Sequence, residues 1–208
     1  LSDALQSYER RHAAIEALAA RDENRHELQR DLAVSHNRVG DVRVAQGDYG
    51  RALQAFERGL AIVEYLAAYD PSNSEWQRDL SISYNKIGDL RTARGDLAGA
   101  LSAYEAGLAI RERLAAGDPS NSQWRRDLLV SHNKIGDVRR ARGDVVGALS
   151  AYEAGHGLGE RLAAGDPSNS QWQRDLSVSQ NKIGDIRLAQ GDIGSALALY
   201  EAALVIRE

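Results

Sequence analysis

Residues 70–117, DPSNSEWQRDLSISYNKIGDLRTARGDLAGALSAYEAGLAIRERLAAG, decide the fold, because the chain repeats them almost unchanged. Residues 118–165 match them at 35 of 48 positions by direct count, and 22–69 and 166–208 continue in the same register. Self-similarity at a fixed period of roughly 20–50 residues is typical of stacked repeat proteins. We therefore predict a single array over the whole chain, in which 1–21 is the second helix of a preceding partial repeat and the fourth repeat is truncated.

Within 70–117 the local signals predict a first helix (helix A), a tight turn and a second helix (helix B). The Asp70-Pro71 pair separates this repeat from the one before it, because the residue before a proline disfavours helix. Gly95 tolerates the left-handed conformation that ends helix A, and Asp96 can cap helix B. Helix A is expected at 73–94 and helix B at 97–115, with equivalents at 48-residue steps.

Each helix A is also expected to begin at a capping box, in which two side chains three residues apart satisfy free backbone amides. The pairs with this spacing are Ser72 with Glu75, Ser120 with Gln123, Ser168 with Gln171 and Asn24 with Glu27.

Apolar residues on helix A recur at helical spacing, and a glycine interrupts them. Trp76, Leu80, Tyr84 and Ile87 form one stripe. Gly88 follows in mid-helix, where glycine costs about 1 kcal/mol relative to alanine. The same glycine recurs at 40, 136 and 184. A repeated cost of this kind predicts that helix B approaches helix A closely at this point.

Composition excludes several classes of function. Lys and Arg number 26 against 30 Asp and Glu, so the net charge is −4 and a nucleic-acid partner is not expected. No stretch reaches the ~18 apolar residues that span a bilayer, so we expect a soluble, cytoplasmic protein without a membrane partner. The chain has no cysteine, which excludes disulfides and thiolate chemistry.

Nothing in the sequence assembles a catalytic or metal site. The five histidines are scattered, and none shows the spacing of a histidine pair that binds zinc. His36 and His132 occupy a slot held elsewhere by Tyr84 and Gln180, which indicates a packing role. The glycines fall at helix turns and not in a phosphate-binding loop. We expect no enzyme activity and no cofactor.

These residues resemble the tetratricopeptide repeat, whose outline is an aromatic residue, Leu-Gly, and then an alanine and an aromatic residue in the second helix. The second repeat supplies Tyr84, Ile87, Gly88, Ala100 and Tyr104, and the other three repeats offer equivalents. The period is 48 residues and not 34, so both helices are longer, as in the repeats of kinesin light chain. An arginine replaces the tyrosine late in helix A, and the proline of helix B is absent.

The resemblance implies an all-α fold, an α-solenoid in which nine helices form antiparallel pairs along a right-handed superhelix. The concave wall of such a superhelix would be lined by helices A. The kinesin light chain repeats use an asparagine at this place in helix A for peptide recognition. We therefore expect a scaffold that binds a protein or an extended peptide.

Three columns of polar residues recur along helix A and are the candidate binding residues. An asparagine both donates and accepts, so a column of them could bind a peptide backbone, with the variable positions 44, 92, 140 and 188 adding selectivity. The alternative is that these residues bridge neighbouring helices or reflect recent duplication. The columns are Asn37, Asn85, Asn133 and Asn181; Asp41, Asp89, Asp137 and Asp185; and Lys86, Lys134 and Lys182, with Arg38 in the first repeat.

Two further features carry structural expectations. The arginines at 43, 91, 139 and 187 are expected to pair with the glutamates at 57, 105, 153 and 201, each pair within one repeat. Repeat three reads Gly155-His156-Gly157-Leu158-Gly159-Glu160 at the positions where repeat two reads Gly-Leu-Ala-Ile-Arg-Glu. We interpret this as drift; the alternative is a partner docking closely on that outer helix.

The register also suggests alternatives to a peptide-binding scaffold. The chain opens inside a repeat and stops before its last helix B is complete, so neither end is an obvious polar cap. We infer a segment of a longer array. The end helices of separate chains could instead associate, or the array could regulate a larger, multidomain and enzymatic parent protein of a bacterial kind.

Overall fold

The structure, a computed structural model, describes residues 2–20 and 25–205. These residues form nine α-helices joined by short turns and contain no strand, which confirms the all-α prediction. The helices are α1 (Ser2–Ala19), α2 (His26–Ala45), α3 (Tyr49–Tyr69), α4 (Ser74–Ala93), α5 (Leu97–Gly117), α6 (Ser122–Ala141), α7 (Val145–Gly165), α8 (Ser170–Ala189) and α9 (Ile193–Val205).

The helices follow the 48-residue register closely. The even-numbered helices α2, α4, α6 and α8 are the four helices A, and α3, α5, α7 and α9 are the helices B of the same repeats. Helix α1 stands in the place of a helix B ahead of the first repeat. Local signals therefore located α2 to α8 to within one or two residues.

The turn between helices A and B has the predicted chemistry. The glycines at 47, 95, 143 and 191 adopt φ between 76° and 81°, a conformation that a side chain would disfavour. The aspartate that follows caps helix B: the Asp48 carboxylate accepts from the Arg51 amide, and the Asp144 carboxylate from the Gly147 amide. The turn is therefore specified by two residues.

The N-terminal caps of α4, α6 and α8 lie one residue later than the predicted capping boxes. The cap of α4 is Asn73, whose side chain accepts from the amide of Trp76. Ser72 instead donates its hydroxyl to Asp70 at 2.6 Å, which holds the loop and lowers the pKa of that carboxyl. Asn121 and Asn169 repeat this arrangement. Asn24 lies outside the described residues, and α2 begins after Arg25 without a side-chain cap.

Contacts divide the chain into two compact units, Leu1–Ile110 and Arg111–Glu208, with the division inside α5. In the first unit the core joins α2, α3, α4 and the beginning of α5. Phe56 lies at its centre and is 1% exposed, packed with Ala52, Ile87 and Leu90. In the second unit Tyr152, Ile183 and Ile186 form the equivalent cluster across α7 and α8.

The mid-helix glycines are explained by the ring that packs on them. A Cβ at Gly40 would lie 2.3 Å from the ring of Phe56, and one at Gly136 would lie 2.3 Å from the ring of Tyr152. Gly88 and Gly184 stand in the same relation to Tyr104 and Tyr200. The predicted close approach of helices A and B is confirmed, and an aromatic ring makes it.

Replacing Gly136 by alanine tests this contact. Although alanine favours helix, the new methyl group must displace the buried Tyr152 ring, so we expect a net loss of about 1–3 kcal/mol in the free energy of unfolding. Gly157 is the matched control, since the nearest atom to an added Cβ there is the end of Arg161, 3.7 Å away. Gly157→Ala should stabilise by up to about 1 kcal/mol. Urea unfolding followed by circular dichroism measures both, and equal effects would contradict the explanation.

Candidate partner-binding surface

The asparagine column lies closer to the helix contacts than its sequence pattern suggests. Asn85 and Asn133 are each only 8% exposed, whereas Asn37 and Asn181 are half-buried. The Asn37 amide donates to the hydroxyl of Ser83 on the next helix A at 3.3 Å. Asn37 therefore bridges two repeats.

The oxygens of these amides point toward helix B. A Cβ built on Gly59, Gly107 or Gly155 would lie 3.1–3.2 Å from the Oδ1 atom of Asn37, Asn85 or Asn133 respectively. A second glycine column thus makes room for the asparagine side chains. This placement favours the structural alternative for Asn85 and Asn133. The amide of Asn181 has no hydrogen-bond partner among the described residues.

The aspartate and lysine columns pair with each other between repeats. Lys86 contacts both oxygens of Asp41, in the repeat before it, at 2.7 and 2.8 Å. Lys182 donates to one carboxylate oxygen of Asp137, also in the repeat before it. Arg140 lies 3.3 Å from Asp185 across the same two helices. These side chains remain partly accessible, so the same groups join repeats and face solvent.

The aspartates also receive a bond from their own repeat. Tyr104 donates its hydroxyl to Asp89 at 2.6 Å, Tyr152 to Asp137 at 2.7 Å and Tyr200 to Asp185 at 2.9 Å. Burial, followed by the bond to Asp137, raises the pKa of Tyr152. Phe56 occupies the tyrosine position of the first repeat and has no hydroxyl to offer Asp41.

A second set of ion pairs, which was not predicted from the sequence, joins the beginnings of helices A. Arg30 lies 2.6 Å from Asp79, and Arg126 lies 2.6 Å from Asp175, each pair linking consecutive repeats. Arginine and aspartate recur at these positions in all four repeats. This recurrence can be seen in the sequence. It does not show which residues pair, because the partners lie 49 residues apart.

The serine column at 35, 83, 131 and 179 was missed as well. The last three are fully buried and the first nearly so, where α-helices cross. In the second unit Ser131 accepts from Arg111, a buried guanidinium that also donates to the Asp127 carbonyl. The recurrence of a small polar residue at a fixed period is the sequence pattern that could have predicted this contact.

The arginine–glutamate prediction requires correction. Arg187 lies 3.1 Å from Glu153, which belongs to the preceding repeat and not to its own. Arg91 donates to the carbonyl of Gly99 and lies 3.9 Å from Asp96, so it closes the turn within its repeat. The shared stripe on helix A predicted packing of these arginines but did not determine which acid each would reach.

Repeat three shows how its irregular residues are accommodated. A Cβ at Gly159 would lie 3.4 Å from the Cα atom of Leu176, so the missing side chain lets α8 approach α7. His156 points inward and contacts the hydroxyl of Ser179 at 3.3 Å. These two residues serve packing within the second unit.

The histidines lie at helix contacts. His36 is 5% exposed and stacks edge-on against His12, with ring centroids 4.3 Å apart. Burial, then the charges of His12 and Arg58, lower the pKa of His36 to about 4. Burial also lowers the pKa of His132.

The described residues show no membrane-spanning helix and no metal-binding cluster. No helix within them is both long and apolar enough to cross a membrane. No three or more histidine, aspartate or glutamate side chains there come together in a way that would hold a metal ion.

No family model matches the sequence, and no curated protein matches it significantly. Solved structures are similar to it. BtubC (BKLC) from P. vanneervenii has a TM-score of 0.74 at 17% identity, over 98% of this chain and 72% of that one. Nearly identical TPR-like repeats of a putative kinesin light chain from Podosopora anserina have a TM-score of 0.63 at 19% identity, over 99% and 86%. RapI has a TM-score of 0.71 at 13% identity, over 98% of this chain and 48% of RapI.

The structure is therefore an α-solenoid of paired helices. Its repeats are of the tetratricopeptide-like kind, lengthened to 48 residues. At these identities the likeness establishes the fold.

The two roles of the aspartates can be separated by comparing repeats. Asp137→Ala leaves the buried hydroxyl of Tyr152 without an acceptor, so we expect a loss of about 1–3 kcal/mol. Asp41→Ala removes only a partly exposed ion pair and should cost about 0–1 kcal/mol. Urea unfolding measures both. If the two variants lose equal stability, the tyrosine bond is not the stronger contact.

The histidine contact predicts a dependence of stability on pH. Folded His36 stays neutral down to about pH 4, whereas the unfolded chain binds a proton near the usual value of 6.5. The unfolded state then binds more protons between these values, so this contribution is complete above about pH 6.5 and declines as the pH falls toward 4. The expected loss at pH 5 is on the order of 1–2 kcal/mol.

His36→Gln should reduce the fall in melting temperature between pH 7 and pH 5, since glutamine does not titrate. His26→Gln is the control and should keep the full dependence. Thermal unfolding followed by circular dichroism gives both values. An unchanged pH dependence in His36→Gln would refute the assignment.

Proposed function

We propose that this protein is an interaction scaffold that binds a protein partner or an extended peptide along the exposed side of its helices A, without performing chemistry. One observation carries the proposal. At the position one turn after each candidate aspartate, the residue changes from valine to threonine, arginine and leucine, and the last three are exposed. A regular framework with variable exposed positions is suited to selective recognition.

The side chains available in the second unit lie on α6 and α8. Arg140 and Leu188 are both about half exposed, and Asp185 is exposed between them in sequence. Together they offer a cation, an anion and an apolar contact. Asn181 adds an amide that has no hydrogen-bond partner within residues 2–20 and 25–205, and an amide is the group best suited to a peptide backbone.

The first unit offers a more acidic surface on α2 and α4. Asp41 and Asp89 are exposed, and Thr92 follows one turn later. Thr92 donates to the carbonyl of Gly88 within its helix. Lys86 neutralises Asp41 in part, so this surface suits a polar segment of the partner.

The asparagines divide into two groups in this proposal. Asn85 and Asn133 hold the helices together, because their side chains are buried beside the glycines of helix B. Asn181 is assigned to the partner. Lys86 contributes charge to the surface of the first unit, and Lys134 and Lys182 contribute charge to that of the second.

The test selects binders first and then locates them. A random-peptide phage library is panned on the full chain, and selected peptides are labelled for fluorescence anisotropy. Arg140→Ala, Leu188→Ala and Asn181→Ala should each raise the dissociation constant by about tenfold, the effect of losing 1.4 kcal/mol. Their melting temperatures should change little, since Arg140 and Leu188 are about half exposed and the Asn181 side chain has no hydrogen-bond partner among the described residues.

Matched controls lie on helices B. Arg161→Ala on α7 and Leu204→Ala on α9 remove exposed side chains of the same types and should leave the dissociation constant unchanged. Failure of the library to yield binders, or equal loss in the control variants, would overturn the proposal.

A further inference from the structure

Four aromatic side chains meet where the first two repeats join, inside the first unit. His26 begins α2, Tyr65 and Tyr69 lie one turn apart near the end of α3, and Trp76 lies in the first turn of α4. The centroid of the His26 ring lies 4.1 Å from that of Tyr69, 5.5 Å from that of Trp76 and 6.3 Å from that of Tyr65. We call these four residues the aromatic cluster.

The cluster occurs at this junction and is not repeated. Beside Trp124 and Trp172, the positions of His26, Tyr65 and Tyr69 carry serine, arginine and glycine. Because the later junctions form without these rings, stacking of the repeats does not require them. The equivalent residues are Ser74, Arg113 and Gly117 for Trp124, and Ser122, Arg161 and Gly165 for Trp172.

Packing on the tryptophan accounts for two of the added rings. His26 and Tyr69 lie against Trp76, which is 7% exposed. Tyr65 lies against His26 and Tyr69 and makes no ring contact with Trp76 in the described part of the chain. Tyr65 is 52% exposed and Tyr69 is 62% exposed. Neither hydroxyl has a hydrogen-bond partner within residues 2–20 and 25–205, so both rings remain open to solvent.

Carboxylates border the cluster. Glu64 precedes Tyr65 and accepts from the hydroxyl of Tyr84 on α4 at 3.0 Å. Asp70 follows Tyr69, and the Ser72 hydroxyl that donates to it lowers its pKa. Neither carboxylate makes an ion pair among the residues that the structure describes. Glu27 and Glu75 are the acidic neighbours of the other two rings.

The charges at this junction favour a cation. Arg30 is already engaged, since it lies 2.7 Å from Glu75 and 2.6 Å from Asp79. Arg25 is the other cation in this part of α2 and its approach. Position 65 carries no charge where the later repeats have an arginine, and Glu75 stands where they have a glutamine. The carboxylates at 27, 64, 70, 75 and 79 therefore outnumber the two arginines.

We propose that the aromatic cluster binds an arginine of a partner protein, with the guanidinium stacked on the rings of Tyr65 and Tyr69. A tyrosine face attracts a cation that lies within about 6 Å of its centroid, and the planar guanidinium can stack on it. The two centroids are 6.3 Å apart and the ring planes differ by 35°, so one guanidinium can contact both rings. The negative charge of Glu64 and Asp70 strengthens the attraction.

This surface lies apart from the one proposed above for a peptide on helices A, with which it shares no residue. The two proposals therefore stand or fall separately.

Three decapeptides of the same length test the chemistry, in which glycine alternates with arginine, lysine or serine. Each is titrated at low salt into the isotope-labelled full chain and followed by NMR. The arginine peptide should move the indole N–H signal of Trp76 and bind at least about threefold more tightly than the lysine peptide. The serine peptide should not bind. The indole signals of Trp124 and Trp172 are internal controls and should stay in place.

Substitutions of the two tyrosines separate attraction by the ring from apolar contact. Tyr65→Leu and Tyr69→Leu keep an apolar side chain without a ring, and each should raise the dissociation constant of the arginine peptide by at least about threefold. Together they should raise it by about tenfold or more. Tyr65→Phe and Tyr69→Phe keep the ring and should bind within about twofold of the unaltered chain.

Tyr49→Leu is the matched control, because it removes a partly exposed tyrosine at the other end of α3. It should leave the dissociation constant unchanged, and the melting temperature of each variant verifies its fold. The proposal is overturned if the arginine peptide does not bind, or if it binds no more tightly than the serine peptide. Equal movement of all three indole signals, or equal binding by the leucine and phenylalanine variants, would also refute it.

Discussion

The contact between one glycine of each helix A and one aromatic ring of its helix B organises the structure. With no side chain at 40, 88, 136 or 184, the ring lies against the helix backbone, and it fixes the distance between the two helices. In three repeats that ring is a tyrosine whose hydroxyl reaches the aspartate one residue after the glycine. The packing of the ring on the glycine therefore helps to position the carboxylate of that aspartate.

That aspartate then links packing to the stacking of repeats. It accepts from its own tyrosine and from a lysine or arginine on a neighbouring helix A, as Asp137 does with Tyr152 and Lys182. Two oxygens can serve both donors because a carboxylate has about four acceptor sites. The polar columns of helix A are therefore chiefly contacts between repeats, and the variable exposed positions beside them are the ones that we propose a partner contacts.

The fixed period gives every helix A nearly the same set of polar side chains. Because each helix A contacts the helix A of the next repeat, it carries side chains that pair with those of another helix A, as Arg30 pairs with Asp79. The recurring serine accepts different partners in different repeats. Arg111 donates to the hydroxyl of Ser131, and His156 contacts the hydroxyl of Ser179.

The sequence alone determined the repeat, the helix boundaries, the turns and the close approach at Gly88, because these follow from local propensity and from a fixed period. It located the polar columns but not their partners. Whether Asn133 faces solvent or Gly155, and whether Arg187 reaches Glu201 or Glu153, depends on the rotation and offset of neighbouring helices. A rotation of one helix by a fraction of a turn changes which side chains meet, and only the packing of rings on glycines fixes it.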